Sequence, residues 1–189
     1  MYYHASPTPG IRVLEPRVSN HNTPLVYFSQ KRENVLVYLS NAVEKFCRET
    51  GFPHQGNWTK WGPYGFKNGI LQLDEYYPDA LEDTYRGVSG YVYHASSIQE
   101  AEQDIEIPSA AVSAVPVPID GVEFIPDAYE AILDAERRGL ILVRRYGDLP
   151  GQMLAWIRKT IPESYESAKE QPDYRYFLKS KFDFLQHAN

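Results

Sequence analysis

Tyr3-His4-Ala5-Ser6, closing an N-terminal apolar stretch, and Val26-Tyr27-Phe28-Ser29 decide how this chain is read. A helical pattern follows the second segment and places Tyr38 eleven residues after Tyr27. An imidazole and a hydroxyl can hydrogen-bond a ribose or an amide, and flat rings can stack on a nicotinamide face. Histidine, hydroxyl and two spaced aromatics are therefore the groups a nicotinamide-nucleotide site requires.

Around these segments, residues 2–5 read as a short strand, 6–23 as a connector carrying Pro7, Pro9, Pro16 and Asn20-His21-Asn22, and Leu25–Phe28 as a second strand. Ser29 or Gln30 caps a predicted helix to about Arg48, with Val35, Leu39, Ala42, Val43 and Phe46 as its apolar stripe. Tyr38 lies on the flank of that stripe, turned toward a cleft beside the core rather than into it.

The order and spacing of these residues resemble the ADP-ribosyltransferase superfamily, in the branch that includes the poly-ADP-ribose polymerases and diphtheria toxin. That branch carries His-Gly-Ser on its first core strand, Tyr-Phe-Ala on a later one, and a tyrosine on the following helix. His4-Ala5-Ser6, Tyr27-Phe28-Ser29 and Tyr38 match these in turn, with Ala5 and Ser29 replacing the usual small residues. The motif residues fall within about 1–45, and the order of elements extends the likeness to about 146. The resemblance implies an α+β fold with a mixed or antiparallel split sheet. It also implies NAD, as substrate, folded into a cleft lined by His4, Ser6, Tyr27 and Tyr38. Its activity would be transfer of ADP-ribose to a protein or small acceptor.

The family also supplies a Glu at the start of a late core strand, to stabilise the oxocarbenium-like ribose and orient the acceptor. If Val112–Val117 is that strand, it begins with Ser109-Ala110-Ala111 and has no acid there. The nearest carboxylates are Asp104 and Glu106 in the preceding loop and Glu123 on the next strand; Glu106 is the candidate catalytic residue. Without such an acid the alternative is a catalytically silent nucleotide-binding or protein-interaction module on the same fold.

The rest of the chain narrows the function classes. At 189 residues, 43% hydrophobic and 23% charged, it can bury a full core, and it is expected to form a transferase-like domain over 1–147 with a helical extension, 148–189, packed on it. A net charge of −6 disfavours broad attachment to nucleic acid or anionic membranes. No apolar run approaches the roughly 20 residues needed to span a bilayer. Cys47 is the single cysteine, and Met1-Tyr2-Tyr3-His4 has no signal-peptide layout, so a cytoplasmic location is expected. The histidines at 4, 21, 54, 94 and 187 have no metal-ligand spacing, and no metal is expected. Gly-x-Gly-x-x-Gly and Walker loops are absent, as is a Gly-x-Ser-x-Gly elbow.

Residues 49–69, with Trp58, Trp61, Tyr64 and Phe66, read as an aromatic-rich loop of the length that often forms lids. Further strands are predicted near Ile70–Leu73, Gly90–His94, Val112–Val117, Val122–Phe124 and Leu140–Tyr146, with a helix from Pro126 to Gly139. In the tail, Asp148 is the expected helix cap, Pro162 and Pro172 interrupt the helical pattern, and Trp156, Tyr165, Phe177 and Phe182 are expected to pack on the sheet. Tyr93-His94-Ala95-Ser96 echoes the first motif without the elements that follow it, and reads as coincidence.

Overall fold

Tyr2–Ser6 forms β1, the strand around which the main sheet is organised. A computed structural model of the chain describes residues 1–18, 23–56, 64–101 and 105–186. The remaining strands are β2 (Val13–Leu14), β3 (Arg17–Val18), β4 (Pro24–Ser29), β5 (Tyr64–Lys67), β6 (Ile70–Asp74), β7 (Gly90–Ala95), β8 (Ala110–Ser113), β9 (Val117–Pro118), β10 (Gly121–Ile125) and β11 (Ile141–Arg144). The α-helices are α1 (Ala42–Thr50), α2 (Ala80–Tyr85), α3 (Ala128–Arg137), α4 (Gly151–Ser167) and α5 (Pro172–Lys181). The fold is α+β.

The contacts divide the chain into two compact units. The first comprises Met1–Ser40, Phe66–Leu71 and Arg86–Ile141. Its sheet has the order β10-β7-β1-β4-β3, with β8 also paired to β4, and the registered pairs are antiparallel. β1 pairs with β7 along its whole length, from Tyr2↔Ala95 to Ser6↔Tyr91. With β4 it is registered only at Tyr3↔Ser29 among the described residues, and β4 then pairs with β3 at Leu25 and Pro24.

One face of this sheet is covered by a 3-10 helix, Arg32–Leu39, which packs on β1, β7 and α3. The approach is close: a Cβ at Gly90 would stand 2.6 Å from Leu39 Cδ2. Ala5, Val92, Ile125, Leu36, Leu39 and Ile132 are buried in this unit. Asp127 caps α3 through the N–H groups of Tyr129 and Glu130, so the helix begins two residues after Pro126.

The predicted helix to Arg48 is two segments. The first winds as a 3-10 helix in which Asn34, Val35, Leu36, Val37 and Leu39 are all buried, so it carries no amphipathic stripe like that of α1. Ser40 is extended, and Asn41 then caps α1 by accepting from the N–H groups of Val43 and Glu44. The single strand expected over 112–117 is likewise divided into β8 and β9. β5 occupies the end of the predicted 49–69 loop; Trp58 and Trp61 lie outside the described residues.

The second unit comprises Asn41–Gly65, Gln72–Tyr85 and Leu142–Asn189, and so includes the predicted 148–189 extension. Val43, Cys47, Tyr77, Ile157, Phe177 and Phe182 belong to its apolar core. Phe177 and Phe182 thus pack among helices and not on the sheet, while Trp156 is 46% exposed, because the amphipathic faces of α4 and α5 find α1 and α2. Polar anchors hold this unit: the Lys45 ammonium donates to the Asp83 carbonyl (2.7 Å), and Asp173 accepts from His54 Nδ1 (2.9 Å) and the Gln55 N–H (3.0 Å). Two tail signals misled: α4 begins after Pro150 without a side-chain cap, so Asp148 does not cap it, and the helix runs through Pro162.

Candidate functional site

Strand alternation and register decide where the motif residues lie. Directly paired residues share a face of a sheet and successive residues alternate, so His4 and Ser6 share a face with Phe28, and Tyr27 lies on the other with Ala5 and Ser29. The His4 and Phe28 rings confirm this, edge to face with centroids 6.0 Å apart. His4 and Ser6 are brought together; the Tyr27 ring stands on the face covered by the 3-10 helix.

Strands β1 and β4 are nevertheless joined through His4. Its Nδ1 lies 2.9 Å from the Tyr27 carbonyl oxygen, two residues beyond the registered Ser29 pair. A carbonyl only accepts, so Nδ1 carries the hydrogen, and in the neutral ring Nε2 is left as an acceptor. Burial pushes the His4 pKa below the usual imidazole value; the bond to the Tyr27 carbonyl opposes this, and the positive charge of Arg17 adds to it. The ring is a neutral acceptor at neutral pH.

Ser6 Oγ accepts from the Thr8 N–H at 3.2 Å, turning the chain away from β1. The turned segment is then fixed by Tyr93, whose hydroxyl donates to the Thr8 carbonyl (2.7 Å) and accepts from the Ile11 N–H (3.3 Å). Tyr38, near the end of the 3-10 helix, is 39% exposed, unlike its buried neighbours Val37 and Leu39. Glu106 is exposed in the loop entering β8. That strand begins at Ala110, opposite Ser29, after Ser109 with a φ of 63°. Asp104 lies outside the described residues. Glu123 is held by Arg32 through two bonds of 2.7 Å, which keep its carboxyl below the usual range.

One residue escaped sequence reasoning, and a second, His94, belongs to the segment that reads as a coincidental echo of the first motif. Asn34 is 6% exposed, and neither of its amide atoms has a hydrogen-bond partner among the described residues. Its one sequence signal is a polar residue at the head of the apolar run Val35-Leu36-Val37. His94 proves to be the antiparallel neighbour of the first motif, with Tyr3↔His94 and His4↔Tyr93. Its ring therefore lies on the face opposite His4, packed over Gly121, where an added Cβ would collide with Nε2. Its buried Nδ1 also has no partner among the described residues.

Among the described residues, no group of three or more His, Cys, Asp or Glu side chains could hold a metal, and no helix is long and apolar enough to cross a membrane. Comparison with protein-family models, curated proteins and solved structures finds no match to this chain.

Proposed function

We propose that the first unit binds NAD at the Ser6 end of β1, beyond the His4 bond that joins this strand to β4, and transfers ADP-ribose to an acceptor. The observation that carries this is His4: its Nδ1–H is committed to the Tyr27 carbonyl, leaving Nε2 as an acceptor on the face it shares with the Ser6 hydroxyl. That pair suits the hydroxyls of a ribose. Tyr27 and Tyr38 are assigned to the nicotinamide ring, which would lie on the side of β4 where the 3-10 helix packs.

In the transfer step, the bond between ribose C1′ and the nicotinamide nitrogen breaks with its electron pair leaving on nicotinamide. The acceptor's nucleophilic atom bonds to C1′, and its proton passes to a carboxylate. Glu106 is assigned that carboxylate, since Glu123 is engaged by Arg32. Stabilisation of positive charge on the ribose is a transition-state role, so Glu106→Gln should abolish nicotinamide release and leave NAD affinity within about threefold.

A second reading is binding without transfer, favoured by Ala110 at the start of β8 and by the exposure of Glu106. NAD hydrolysis separates the two without knowledge of the acceptor. Nicotinamide release by the wild type supports transfer; tight NAD binding with no release, even with lysate as acceptor, leaves the binding module.

A further inference from the structure

The face that carries His4 and Ser6 continues past β1, covered at Tyr93 by the Thr8–Ile11 segment and open toward β10. Register sets Ser6 beside Tyr91 and Tyr91 beside Phe124; in the next row His4 stands beside Tyr93 and Tyr93 beside Val122. Tyr91 and Phe124 are in contact, their ring centroids 5.3 Å apart and tilted by 47°. Phe124 is 55% exposed and Val122 56%, both on β10, the last strand on that side of the sheet. None of the residues that β1, β7 and β10 present on this face is Lys, Arg, Asp or Glu; Glu123 points to the other face. Phe124 and Val122 thus form an open apolar pair on the edge strand, whose one charged residue, Glu123, lies on the other face.

We propose that Tyr91 and Phe124 form the subsite for the adenine base of NAD, which lies flat against Phe124 beyond a ribose held by Ser6 and His4. This rests on the NAD reading above. Two strand spacings place Phe124 about 10 Å across the sheet from Ser6, a span that a nucleoside can bridge. A neutral aromatic platform accepts a base by stacking and has no charge to prefer a peptide side chain. The row also begins at Ser6, the residue assigned to ribose, so the base is the part of the dinucleotide that reaches it.

Calorimetry with ADP-ribose and AMP, which carry adenine, and with nicotinamide, which does not, tests the assignment. Base stacking is worth about 1–3 kcal/mol, so Phe124→Ala should weaken ADP-ribose and AMP by about 5- to 150-fold. Nicotinamide should change by less than about twofold, and Phe124→Trp should retain ADP-ribose. Wild-type affinity for ADP-ribose in Phe124→Ala, with NAD still binding the wild type, overturns the subsite and leaves the NAD reading standing. A wild type that binds neither NAD nor any fragment removes both. A dimer dissolved by Phe124→Ala at unchanged ADP-ribose affinity overturns the subsite and gives the row to a second copy of the chain.

Discussion

His4 combines a structural bond with a chemical constraint, because the hydrogen it donates to the Tyr27 carbonyl sets its tautomer while burial keeps it neutral. Its folded pKa lies below the ordinary value of about 6.5, so the unfolded chain binds the proton more readily. Its contribution to stability is therefore full above about pH 6.5 and is lost as pH falls toward the folded pKa. Protonation also removes the Nε2 acceptor. NAD affinity should then decline as pH drops through the folded pKa, below about 6.5, and His4→Phe should abolish that pH dependence; an affinity unchanged once the His4 ring is seen by NMR to be protonated would count against the ribose role. Asn34 poses the opposite case, since a buried amide costs about 1–3 kcal/mol when unpaired, and its side chain has no partner among the described residues. Asn34→Leu should raise apo stability by about 1 kcal/mol in denaturant melts; a loss of that size would show that the amide is satisfied.

At the scale of elements, the 3-10 helix Arg32–Leu39 carries Tyr38 of the proposed site. It follows β4 immediately, is buried along most of its length, and leaves Tyr38 open near its end. Because Tyr38 is 39% exposed, Tyr38→Ala should leave the apo melting temperature nearly intact. Loss of a ring stack should weaken NAD by about 1–3 kcal/mol. A large apo destabilisation with unchanged NAD affinity would return Tyr38 to packing. The break between this helix and α1 follows from Asn41, whose side chain satisfies two N–H groups of a new helix start. Asn41 is a sequence signal that the run of apolar spacings across 35–46 obscures.

At the scale of the whole molecule, the proposed NAD binding would be linked to folding. At NAD concentrations about 100 times the dissociation constant, the chain should gain roughly 2.7 kcal/mol of stability, readable as a shift in thermal melts. No shift with NAD, nicotinamide or ADP-ribose would end the NAD proposal. Local sequence determined the positions of β1, β4, β7, β10 and α3, because alternation, capping and turn residues act over a few neighbours. It also determined the spacing of His4, Ser6, Tyr27 and Tyr38 along the chain. Only tertiary structure decided which of them meet. Alternation orders the faces of one strand, whereas register between strands orders them across a sheet, and the Tyr3↔Ser29 pair puts His4 and Tyr27 on opposite faces. The same long-range pairing made neighbours of the two Tyr-His-Ala-Ser segments and aligned Ser6 with Tyr91 and Phe124. The helical tail turned to α1 and α2 for a like reason: an amphipathic face specifies that it will be covered, and the surrounding chain specifies by what.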